Sequence, residues 1–190
     1  MRIIIASHNP HKIVEFKELY DGDFVSLSDI GFDEEIIEDG HSYLENAEIK
    51  VKAIQERFPD DLIIGDDSGF SVRALNHEPG IYSARYLSHL SQQQKNEKIL
   101  ELLKDVTDRR ATFTCAMVLS YQGHTFHTQE VVYGTIPLEP QGSDGFGYDP
   151  IFIPDGYEQS FAQNHELKKK VSHRALALRK IIAHVQYLQD

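Results

Sequence analysis

The chain is short of cysteine, of positive charge and of long apolar runs, and each shortage narrows what it does. A single cysteine, Cys115, rules out an internal disulfide, and its apolar neighbours mark it as a small core residue. No stretch approaches the roughly 18 apolar residues of a membrane span, so no membrane partner is expected. The opening segment Arg2-Ile3-Ile4-Ile5-Ala6 is too short for the apolar region of a secretion signal and reads as a first strand. These features point to a cytoplasmic protein. Lysine and arginine number 19 against 30 acids, a formal net charge of −11, which argues against a nucleic-acid polymer as the main ligand because such binders carry a basic face. A small polyphosphate remains compatible, since it needs only a few local cations and a metal ion to offset its charge. Internal repeats and low-complexity tracts are also missing, and 190 residues suit one domain or two lobes sharing a sheet.

Apolar periodicity and turn chemistry give the expected elements. Strands are expected over Arg2–Ala6, Asp23–Leu27 and Leu62–Gly65, with Phe70–Leu75 pairing nearby. Ala111–Tyr121 and His124–Ile136 form a hairpin across Gln122-Gly123, and Ile151–Ile153 is a short strand. Helices are expected after a loop at Ser7–Pro10 to Tyr20, from a capping box at Ser42 and Glu45 to Phe58, from Ser91 to Val106, and from Ser172 to Leu188. The fold class is α/β, with helices packed on a sheet of parallel and antiparallel strands.

Leu62-Ile63-Ile64-Gly65 runs directly into Asp66-Asp67-Ser68-Gly69. A buried strand that ends in two carboxylates is hard to justify structurally, because unpaired buried charge is costly. Asp66 and Asp67 make sense if a divalent cation, or a water to be deprotonated, lies between them and a ligand; Ser68 is placed to bind a phosphate or fix a carboxylate. The bland alternative is a polar turn.

Ser7-His8-Asn9-Pro10-His11-Lys12 joins the first strand to the first helix. Helix N-termini offer free N–H groups and a positive dipole end that suit phosphate. Lacking the glycines and the Gly-Lys-Ser/Thr ending, it is not a P-loop, and a plain N-cap loop also accounts for it. Glu34, Glu35, Glu38 and Asp39 crowd six positions before Gly40; such runs are usually solvated, but Glu38 is placed to reach a metal. Arg85, after Pro79-Gly80-Ile81-Tyr82-Ser83-Ala84, can pair with an acid or a phosphate. In Gly145-Phe146-Gly147-Tyr148-Asp149 the glycines allow close backbone approach, Phe146 offers a stacking face and Asp149 an acceptor. Lys168-Lys169-Lys170 precedes Ser172-His173-Arg174, whose two cations stand in the first turn of a helix, against its dipole. That placement hints at an anionic partner.

In this order these segments resemble the inosine/xanthosine triphosphate pyrophosphatase family, over nearly the whole chain. The resemblance rests on Ser7–Lys12, Asp66–Gly69, Pro79–Tyr86, Gly145–Phe152 and Ser172–Arg174. It implies a long mixed β-sheet with flanking helices, two lobes around a central cleft, and usually a homodimer. It also implies Mg²⁺-dependent hydrolysis of ITP, dITP and XTP to monophosphate and pyrophosphate. Asp67 would then be the general base and a metal neighbour, and Glu38 a metal ligand. Ser7, His8, Asn9, Pro10, His11, Lys12 and Ser68 would hold phosphate, Phe146, Gly147, Tyr148, Asp149, Lys168, His173 and Arg174 the base and nucleotide, and Arg85 is a further substrate-binding candidate. The chain departs from the family pattern at His8 and His11, where the loop often carries glycine, at Asn76-His77-Glu78 and at Gln163-Asn164-His165. Two alternatives are a house-cleaning pyrophosphatase for another modified nucleotide and a nucleotide-binding sensor that does not hydrolyse.

Overall fold

Successive side chains of a strand face opposite ways, and the first strand uses both faces. In the computed structural model, which describes residues 2–189, β1 (Arg2–Ile5) pairs in parallel with β2 (Asp23–Val25) and β3 (Leu62–Val72), with Ile3 opposite Leu62, Ile4 opposite Ile63 and Ile5 opposite Ile64. Ile3, Ile5, Leu62 and Ile64 pack with Phe16 of α1 (Pro10–Leu19) and with Ala177, Leu178 and Ile181 of α5 (His173–Gln189). Ile4 and Ile63 pack on the other side with Ala47, Val51 and Ile54 of α2 (Tyr43–Gln55). Burial on both faces explains why these strands read as unbroken apolar runs.

The remaining elements are α3 (Gln92–Leu102), β4 (Arg110–Tyr121), β5 (His124–Thr135), β6 (Ile153–Pro154) and α4 (His165–Val171). Among the described residues the sheet has six strands in the order β2-β1-β3-β4-β5-β6, with β6 antiparallel to β5. The expected mixed α/β class is the one found. Gln122 and Gly123 both take positive φ, 47° and 80°, the backbone of a tight two-residue hairpin turn between β4 and β5. Ser91 and Gln94 close a complete capping box on α3.

Contacts divide the chain into two units. The first holds the chain up to Asp67, Cys115–Glu130 and the chain from Arg174 on; the second holds Ser68–Thr114 and Val131–His173. The core of the second is aromatic: Phe70, Phe113, Tyr148, Phe152 and Phe161 pack with Ile99 and Leu103 of α3.

Several expectations are corrected. The strand expected to end at Gly65 continues as β3 through Asp66 and Asp67 to Val72; cations from distant segments neutralise the carboxylates, so the charge does not break it. At Ser42 the box is displaced: Ser42 Oγ accepts from Glu45 N–H, but Glu45 Oε2 accepts from His41 N–H at 2.6 Å. The strand expected over Ile151–Ile153 starts two residues later, because Asp149–Ile151 is a 3₁₀ turn with Pro150 in it. Lys168, Lys169 and Lys170 lie inside α4, capped by Asn164, not ahead of a single final helix.

Gly65 lets α2 lie directly on β3: a Cβ there would collide with the Ala47 carbonyl oxygen and the Val51 Cγ2 methyl. Gly65→Ala should therefore lower the unfolding free energy by about 1–3 kcal/mol, the usual range for overpacking, as read by urea denaturation. An unchanged transition midpoint would mean that α2 is not seated this tightly.

Candidate active site

Asp66 and Asp67 are consecutive on β3 and so face opposite sides of the sheet. Asp66 enters the layer of α1 and α5. It has no exposed surface and meets three donors: Arg174 Nε at 3.1 Å, the Cys115 thiol at 3.1 Å and the Lys12 ammonium. Arg174, itself 2% exposed, also holds the Glu15 carboxylate. Burial alone would raise the Asp66 pKa; Arg174 and Lys12 more than reverse this and hold the carboxyl well below the usual range.

Asp67 enters the layer of α2, where Asn46 Nδ2 donates to its Oδ2 at 3.1 Å and Lys50 Nζ lies 3.3 Å from its Oδ1. Here burial wins over the attraction of Lys50 and Lys12, with Glu38 adding repulsion, and the pKa moves up. Adjacent acids thus differ in role: Asp66 is locked as an anion, and Asp67 is shifted towards the range of a proton acceptor.

Lys50 Nζ also meets Glu38 Oε2 at 2.9 Å, so Glu38 and Asp67 converge on one cationic group. No group of three or more His, Cys, Asp or Glu side chains placed to hold a metal occurs among the described residues. Two convergent carboxylates fit Mg²⁺, which takes one or two carboxylates plus substrate phosphates in preference to a full protein cage.

In the Ser7–Lys12 loop, Asn9 caps α1 by accepting from His11 N–H at 3.0 Å, Ser7 Oγ accepts from Asn9 N–H at 3.1 Å, and Pro10 is the first helical residue. His8 and His11 are exposed, and His8 Nε2 lies 3.2 Å from the Glu34 carbonyl oxygen. Only Lys12 of this segment turns inward, to Asp66.

In the second unit Lys168 Nζ donates to Asp149 Oδ2 at 2.7 Å and stands 4.7 Å from the centroid of the Phe146 ring. Asp149 Oδ2 also accepts from Phe146 N–H at 2.8 Å. Gly145, at φ 75°, is needed here, because a Cβ would collide with that oxygen. Gly147 O accepts from Asn96 Nδ2. Tyr148 is a core residue, stacked on Phe70 with its hydroxyl donating to Ser83 O at 2.9 Å. His173 stacks on Phe113 with centroids 4.6 Å apart. Arg85 is exposed and lies over the Tyr82 ring, while Ser68 is half-buried next to Asp67 on β3.

The structure thus gathers Asp67 and Glu38 around Lys50, Lys12 and Arg174 around Asp66, and Phe146 and Asp149 around Lys168. Sequence reading missed Lys50, Asn46 and Glu15. Their signal was there: Asn46 and Lys50 are four apart on α2, interleaved with the apolar Ala47, Val51 and Ile54, and Glu15 is three after Lys12 on α1.

A model of the Ham1 family matches residues 3–184. The chain is 45% identical to the dITP/XTP pyrophosphatase of Bacillus subtilis over 94% of its own length and 93% of the relative's. It is 43% identical to that of Leuconostoc mesenteroides, over 95% and 94%. Among solved structures it superposes on the Ham1 protein of Staphylococcus aureus with a TM-score of 0.85 and 38% identity, covering 98% of each chain. A HAM1 protein from Coxiella burnetii gives 0.85 with 31% identity, over 98% of this chain and 99% of that one.

Because the folded Asp66 pKa lies below its unfolded value, its ionised form stabilises the protein fully above about pH 4 and progressively less below it. Asp66→Asn leaves Arg174 short of a buried partner and should cost about 3–5 kcal/mol at pH 7. The gap between wild type and variant should narrow as pH falls from about 4 to 3. Urea titrations at both pH values test this; a gap that stays constant or widens on acidification would contradict the assignment.

Proposed function

Since the chain belongs to the Ham1 family, we propose that it hydrolyses dITP, ITP and XTP to the monophosphate and pyrophosphate, so removing non-standard purine triphosphates from the nucleotide pool. The observation that carries this reading is Asp67: a buried carboxylate with a raised pKa, flanked by Lys50 and Glu38. A proton acceptor beside cations suits a polyphosphate-cleaving site.

In this reading Asp67 takes a proton from a water whose oxygen bonds to the α-phosphorus. The α–β phosphoanhydride bond breaks and its electron pair leaves on pyrophosphate. Lys50 and Lys12 offset phosphate charge, and the Asn9-capped start of α1 adds a positive dipole end. Glu38 and Asp67 would hold Mg²⁺, which supplies charge neutralisation at phosphate oxygens. Ser7, His8, Asn9, Pro10, His11, Ser68 and Arg85 are assigned to the phosphates.

Phe146 presents a face for the purine, now covered by the Lys168 ammonium. Lys168, Asp149, His173 and Arg174 supply donors and acceptors for a 6-oxo base, with Gly147 and Tyr148 shaping the turn. Arg174 acts in this scheme from within its Asp66 and Glu15 pairs. A base that fails to meet such buried groups leaves them unpaired, which is how adenine would be rejected. The proposal includes a homodimer and a cytoplasmic location. A free, buried Cys115 is in keeping with a reducing compartment, and no helix of the described residues is long and apolar enough to cross a membrane.

Pyrophosphate should be released from dITP and XTP at kcat/KM at least about 10²-fold above ATP and GTP. Orthophosphate as the product, or equal rates on ATP, would reject the proposal. EDTA should abolish turnover and Mg²⁺ restore it. Asp67→Asn, which keeps shape and removes the proton acceptor, should lower kcat by at least about 10²-fold; wild-type turnover would move the general-base role to another carboxylate.

A further inference from the structure

Asn46 lies on the buried face of α2, one turn before Lys50, and is 1% exposed. Both ends of its amide are engaged. Oδ1 accepts from Gly40 N–H at 2.9 Å, and Nδ2 donates to Asp67 Oδ2 at 3.1 Å. The orientation follows from the partners: a backbone N–H only donates, so the amide oxygen must face Gly40 and the amino group must face the carboxylate. Gly40 is part of the same fit, because a Cβ there would stand 2.7 Å from Asn46 Oδ1 and 2.8 Å from Glu45 Cβ.

Gly40 closes the irregular segment that carries Glu38. That segment is fastened at Glu34 by His8 and Arg57, at Glu38 by Lys50 and at Gly40 by Asn46. Asn46 and Lys50 therefore each touch both this segment and Asp67. Lys50 does so through charge, which has little directionality. Asn46 does so through two directed hydrogen bonds.

We propose that Asn46 is a positioning residue: its amide fixes the plane of the Asp67 carboxylate and sets the Glu38 segment in register with it. The inference rests on the hydrolytic role proposed for Asp67. An aspartate χ2 torsion is broad, so a carboxylate held only at Oδ1 by Lys50 would swing. With Oδ2 held as well, the plane of the carboxylate is fixed. A misplacement of about 1 Å at a reacting group costs on the order of 10²-fold in rate.

Two substitutions separate the two bonds. Asn46→Asp keeps size and an acceptor for Gly40 N–H but replaces the amino donor with a second carboxylate oxygen. Asn46→Ala removes both bonds, and Asn46→Ser serves if the alanine variant does not fold. With dITP, Asn46→Asp should lose about 10²-fold in kcat, with KM within about threefold of wild type. In that variant hydrogen exchange at Gly40 and His41 should stay as in wild type. Asn46→Ala should lose kcat similarly, and Gly40 should exchange about tenfold faster. A kcat within about threefold of wild type in Asn46→Asp, or a loss carried by KM, overturns the positioning of Asp67. Unchanged Gly40 exchange in Asn46→Ala overturns the link to the Glu38 segment. If the wild-type protein releases no pyrophosphate from dITP or XTP, the hydrolytic proposal fails and the positioning of Asp67 for catalysis fails with it; the exchange measurement still decides the link to the Glu38 segment.

Discussion

A carboxylate with no exposed surface, in the middle of an eleven-residue strand, has to be neutralised where it stands. Asp66 draws Lys12 from α1, Arg174 from the first turn of α5 and the Cys115 thiol from β4 to a single pair of oxygens. Glu15 then balances the excess positive charge on Arg174. Three elements of the first unit are tied to β3 by this cluster, in addition to their apolar contacts. Removing one member of such a cluster is costly because the others stay buried and charged. The neighbouring Asp67 inherits a strand that cannot shift, and the site on the α2 side is built on that fixed line.

The α2 side works through close approach. Gly65 removes a side chain exactly where the helix backbone needs room, and the two polar residues of the buried face, Asn46 and Lys50, then reach Asp67. The second unit repeats the device with different chemistry. Gly145 clears space for Asp149, whose single oxygen Oδ2 orders both the Phe146 backbone and the Lys168 ammonium. In each case a glycine stands beside a carboxylate, and the carboxylate organises a cation.

Much of this was legible in the residues. The unbroken apolar runs of β1 and of the start of β3, the Gln122-Gly123 turn, the Ser91 cap and the order of the polar segments are local signals, and they survive folding. The break expected after Gly65 did not, because the groups that neutralise Asp66 lie 54 and 108 residues away along the chain. No local rule counts charges supplied from that distance. The cations at the start of the final helix hinted at an anionic partner; the anions that Arg174 meets here are carboxylates of the protein itself, Glu15 and Asp66. Asn46 and Lys50 were overlooked because polar residues on an amphipathic helix are ordinarily assigned to its wet face, whereas both are buried.

The sequence separation between Arg174 and Asp66 has a further consequence for how the protein is made. The first unit is assembled from three stretches of chain, and the last begins only at Arg174. Until that stretch has been synthesised, β3 carries a carboxylate whose guanidinium partner does not yet exist, and α5 is not available to cover Ile3, Ile5 and Ile64. Contacts of this span form late and slow folding. A nascent chain is therefore held open at its chemical centre until Arg174 has been added, and a chain truncated ahead of it lacks the guanidinium that neutralises Asp66.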